Sequence, residues 1–134
     1  ANRRLIAGPT GGARIYMYDQ TPEIDLYAGS LPNLAETGMA DDTWAVVVGV
    51  IDGANSLLHV NNGADNTGDA GTDDPNGINI GSAGSHTNFT NALYQEVIVR
   101  QKADTRAERL NVVNYLFNRL NNSKSVVSGT LSSV

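Results

Sequence analysis

The chain has 134 residues, no cysteine and a formal net charge of −5, so one core of ordinary size is expected, with neither disulfides nor thiolate metal sites. It has no run of about 18 apolar residues, the length a membrane-spanning helix needs, and no cationic-then-apolar leader pattern is visible in it. The charge is lopsided: no Lys or Arg lies between Arg14 and Arg100, and the acidic residues concentrate between Asp19 and Asp74, a pattern without the basic, aromatic-interleaved stripe of a nucleic-acid binder.

Residues 3–7 read as a strand, stopped by Gly8-Pro9-Thr10-Gly11-Gly12. Residues 13–18 alternate, with Ile15 and Met17 on one face and Tyr16 and Tyr18 on the other. Residues 24–28 form a third strand, Ile24, Leu26 and Ala28 against Asp25 and Tyr27. Residues 29–42 read as one long connection. Two apolar runs then flank Asp52-Gly53-Ala54-Asn55, a strong hairpin signal because Gly accepts φ > 0 without steric cost. The first run, 44–51, is apolar on both faces and is expected in the centre of a sheet, with Trp44 in the core.

Residues 64–76 contain no apolar side chain larger than Ala and are expected to form a surface loop that adds nothing to the core. Short strands are expected at 78–82 and, after a polar loop, at 92–101, where Leu93, Gln95, Val97 and Val99 oppose Ala92, Tyr94, Glu96 and Ile98. The period then becomes helical. Thr105-x-x-Glu108 is a capping box; Leu110, Val113, Leu116, Phe117 and Leu120 recur as one stripe. Asn121-Asn122-Ser123 reads as the helix stop.

Trp44, the valine-rich run, Asp52-Gly53-x-x-Ser56 and Val60-Asn61-x-Gly63 together resemble the central hairpin of concanavalin A-like (laminin-G-like) jelly-roll domains. Gly77-Ile78-Asn79-Ile80-Gly81, then Phe89 through Tyr94-Gln95-Glu96-Val97-Ile98-Val99, then Thr105-Arg106-Ala107-Glu108-Arg109 with Val112, Val113, Tyr115 and Leu116, follow in that family's order, in the form common to bacterial and phage members. The resemblance implies an all-β fold, an antiparallel β-sandwich (jelly roll) with one C-terminal α-helix. It would span residues 1–122, with the helix at 105–120 and a tail or linker at 123–134. Such domains have several further strands before the equivalent of Arg3, so the chain is expected to be a piece of a longer protein, with part of the sandwich lacking or supplied by another chain.

The resemblance further implies a non-catalytic binding or structural module of a phage virion or bacterial surface protein. Its partners would be a glycan or other virion or surface chains, a second copy included, with neither nucleic acid nor membrane. One alternative is a purely architectural virion component; another is the remnant of a glycan-cleaving enzyme. The paired carboxyls that glycan hydrolysis needs are not evident: the Glu-x-Asp-x-x-Glu strand motif of the glucanase branch is absent, and the strand interiors carry only Asp25 and Glu96. Glu96 is expected to serve structure. Tyr16, Tyr18 and Tyr27 are candidate sugar platforms, with Asn62 and His86 as polar contacts from turns. His59 is expected to pack within its strand. No cofactor is expected unless calcium: Asp65, Asp69, Asp73 and Asp74 make an oxygen-rich loop, without the register of an EF-hand.

Overall fold

The computed structural model describes residues 2–9, 12–18, 23–37, 39, 43–82 and 89–127. The chain divides after Leu93 into two compact units. The first holds two antiparallel sheets. Strands β1 (Asn2–Ala7), β2 (Arg14–Tyr18), β3 (Glu23–Tyr27), β4 (Leu34–Thr37) and β8 (Asn79–Ile80) form a five-stranded sheet in the order β4-β3-β2-β1-β8. Strands β5 (Val47–Val50), β6 (Ser56–Val60) and β7 (Asn66–Gly68) form a three-stranded sheet in the order β5-β6-β7. β1 to β4 are a meander built on the alternation seen in the sequence, with one register shift between Arg4 and Ile6.

One core joins the sheets. Ile24, Leu26 and Leu34 from the first meet Leu58 and Val60 from the second, with Leu5, Ile15 and Val47 packed around them. Gly49 is part of that fit. A Cβ there would come within 2.9 Å of the Ile15 Cδ1 and 3.1 Å of the Leu26 Cδ1, so a side chain at this position would press on the ends of both.

The β5–β6 connection is the expected turn. Gly53 takes φ 54°, the Ser56 hydroxyl donates to the Gly53 carbonyl and the Asp52 amide donates to Ser56 Oγ. β5 is nonetheless not central: among the described residues its only strand partner is β6. Both faces of the hairpin are shielded, Val46, Leu57 and His59 being buried on the side away from Leu58. Apolarity on two faces reports cover above and below, and carries no information about neighbours to the side. Trp44 precedes the strand and is 44% exposed, not a core residue.

The expected long connection after β3 contains β4, and the expected surface loop at 64–76 contains β7 and a fully buried core residue, Ala70. This loop folds back on the end of β3: the Ala28 and Ser30 amides donate to the Ala70 carbonyl, and the Asp73 amide donates to the Ala28 carbonyl. Gly71 sits at φ 98°, where a Cβ would lie 2.0 Å from the Ala28 carbonyl oxygen. Only glycine permits that approach.

The second unit contains helix α1 (Arg106–Val127). Its capping box is formed as expected. The Glu108 amide donates to Thr105 Oγ1 at 3.3 Å, and the Thr105 amide donates to Glu108 Oε2 at 2.9 Å. Val113 and Leu120 of the stripe are buried. Two expectations fail here. The helix runs through Asn121-Asn122-Ser123, because two asparagines lower helix propensity by only tenths of a kcal/mol each and no proline or glycine follows within the turn. Residues 92–101 are not a strand. Their alternation is strand-like, but no strand among the described residues pairs with them, and a strand exists only through its partner.

Candidate outer face of the five-stranded sheet

Ile15, Ile24, Leu26 and Leu34 point to the core, so the intervening residues share the opposite face. The register places Arg4 across from Tyr16, Tyr16 across from Asp25, and Asp25 across from Ala35. Arg14 lies across from Tyr27, Tyr18 across from Asn2, and Glu23 across from Thr37. Positions 16, 18 and 27, the three expected tyrosine platforms, are therefore gathered on one face. Arg14 stacks on Tyr27, its guanidinium carbon 4.0 Å from the ring centroid, a cation–π contact that fixes both side chains.

Asp25 is the unusual member of this face. It is 1% exposed, and its Oδ2 has no hydrogen-bond partner among the described residues. Burial pushes its carboxyl up to about 6, and the negative charge of Glu23, two residues along the same face, adds to the rise. A buried carboxyl without a compensating cation favours its neutral form. Perturbed groups of this kind gather at functional sites, where structure holds a group in a state it would otherwise leave. The sequence signal was available: an acid between Ile24 and Leu26, in phase with Glu23 and Tyr27.

The other expected contacts do not join this face. Asn62 is exposed in the turn between β6 and β7, in the other sheet. His86 lies outside the described residues. The four loop carboxylates serve separate local tasks. Asp65 Oδ1 lies 2.9 Å from His59 Nδ1. Asp69 Oδ1 accepts from the Gly71 amide and Asp74 Oδ1 from the Asn76 amide, both Asx turns. The Asp73 carboxyl lies over Gly12 and Gly29. Among the described residues no three His, Cys, Asp or Glu side chains come together as a metal site.

Glu96 lies in the second unit. Arg119 Nε reaches its Oε2 at 3.4 Å, and the Tyr115 hydroxyl donates to the same carboxylate, which raises the proton affinity of the phenol. The residue thus ties its segment to α1, the structural use expected of it.

Comparison of the chain with protein-family models, with curated proteins and with solved structures finds no match.

Proposed function

We propose that this chain is a non-catalytic, carbohydrate-binding domain of the concanavalin A-like jelly-roll type, carried on a virion or bacterial surface, and that the outer face of its five-stranded sheet takes the ligand. The observation that carries the reading is the gathering of Tyr27, Arg14, Glu23 and positions 16 and 18 on one face, around the buried Asp25. Hydroxyl-rich rings need apolar stacking faces beside charged hydrogen-bonding groups, and this face offers both. The jelly-roll assignment and the surface location rest on the motif resemblance; two antiparallel sheets sharing a core are what such a sandwich requires. In a glycan-array screen followed by calorimetry, Tyr27→Ala should weaken binding about tenfold, the scale of one aromatic contact. Undiminished binding by that variant would move the site off this face.

One observation favours a second reading, an assembly component whose partners are proteins. Phe89 is 65% and Leu93 84% exposed, and Ile98 and Val99 are exposed further along. Apolar exposure of this kind marks contact surfaces. Silence on the glycan array together with a defined oligomer in sedimentation would favour it.

A further inference from the structure

Two Asn-Gly steps occur in the chain, Asn62-Gly63 and Asn76-Gly77. At such a step the backbone nitrogen of the glycine can attack the side-chain amide carbon of the asparagine. Glycine has no Cβ to hinder the approach, and closing a five-membered ring within one residue link needs no second molecule. All four residues are exposed, yet the fold treats the two steps differently. The Gly63 amide donates to the Val60 carbonyl at 3.0 Å, which fixes that peptide and occupies its nitrogen. Among the described residues the Gly77 amide has no acceptor and the Asn76 carbonyl no donor. The Asn76–Gly77 peptide can therefore turn onto the Asn76 side chain without breaking a hydrogen bond.

The step also lies in a short span anchored at both ends against β1. On one side Pro75 packs so closely on Gly8 that a Cβ on Gly8 would overlap the Pro75 carbonyl. On the other, Asn79 pairs with Ala7 and Ile80 with Ile6, and the Gly81 amide donates to the Leu5 carbonyl at 2.9 Å. We propose that Asn76 is a site of self-modification, deamidating to aspartate and isoaspartate, and that isoaspartate at this position releases β8 from β1. The Gly77 nitrogen bonds to Asn76 Cγ, the bond from Cγ to the side-chain nitrogen breaks, and that nitrogen leaves as ammonia with the Gly77 amide proton. Water then opens the cyclic imide. Opening at the side-chain carbonyl gives aspartate. Opening at the backbone carbonyl gives isoaspartate, whose main chain runs through Cβ. The second product adds one backbone atom, about 1.5 Å of chain, to a span with fixed ends. β8 is two residues long at the edge of its sheet, so it is the anchor that parts.

The test ages the intact chain at mildly alkaline pH, with a second sample in urea, and digests both at acid pH for mass spectrometry with electron-transfer fragmentation. In the native chain Asn76 should convert about fivefold faster than Asn62, the factor for opening one hydrogen bond. In urea the two should convert alike. The isoaspartyl fraction, separated by chromatography, should lose amide-exchange protection at Gly81 and keep it at Leu58 in β6. Asn76→Asp, freshly prepared, brings the charge without the extra backbone atom and should keep both. Equal conversion of the two sites in the native chain, or unchanged Gly81 protection in the isoaspartyl fraction, would overturn the proposal. The aged native chain decides the matter even if the variant fails to fold.

Discussion

Asp25 shows how one residue can work against the fold that contains it. Its neighbours Ile24 and Leu26 are 0% and 1% exposed on the core side, so β3 cannot turn the carboxyl to water without turning two core residues out with it. The sign of the consequence follows from the direction of the shift. The carboxyl ordinarily titrates near 3.8 and here near 6, so the folded state holds the proton more tightly than the unfolded state. Asp25 adds no ionisation cost below about pH 3.8; as pH rises towards 6 the folded state must either keep a proton that the unfolded chain has released or bury a charge. Asp25→Asn should therefore raise unfolding free energy by about 1–3 kcal/mol at pH 8 and change it little at pH 3.5. Urea denaturation at the two pH values measures both. Equal effects at both would mean that a partner compensates the charge.

At the scale of elements, what the sequence made legible is what depends on near neighbours. β1, β2, β3 and the β5–β6 turn follow from alternation and turn chemistry, and the start of α1 from Thr105 and Glu108. Hidden were elements that exist only through a distant partner. β7, Asn66–Gly68, has no apolar residue. It is a strand because β6 offers its edge, and because Asn66 Nδ2 reaches the Ala35 carbonyl at 2.7 Å. The converse holds for 92–101, strand-like in pattern and unpaired. On the candidate face, the register made the tyrosines legible; the depth of Asp25 was not, since burial is set by what covers a face. The helix start allows a local test. Thr105→Ala should cost about 1 kcal/mol of helix stability, read by thermal unfolding of the chain. The Glu108 carboxyl, hydrogen-bonded first to Lys102 and then to Thr105, is pulled down to about 2. Its contribution is present above the ordinary value of 4.5 and fades as pH falls towards 2, the opposite direction to Asp25.

At the scale of the whole chain the question is whether a face carrying two carboxyls could cleave a glycan. Glu23 and Asp25 are two residues apart on one strand face, about 6–7 Å along the strand, within the range of separations that hydrolysis uses. A carboxyl raised to about 6 would also suit a general acid. Geometry comes before pKa, however. The acid must touch the glycosidic oxygen, and Asp25 is 1% exposed on a strand held by a partner on each side. Glu96, the other candidate, is engaged by Tyr115 and Arg119. The chain should therefore bind without turnover. Reducing-end release from a polysaccharide panel should stay at background for the parent and for Asp25→Asn alike, while Asp25→Asn remains folded and, at pH 8, more stable than the parent. Turnover by the parent that disappears in Asp25→Asn would make Asp25 an acid after all, and would require its carboxyl to become accessible when substrate binds.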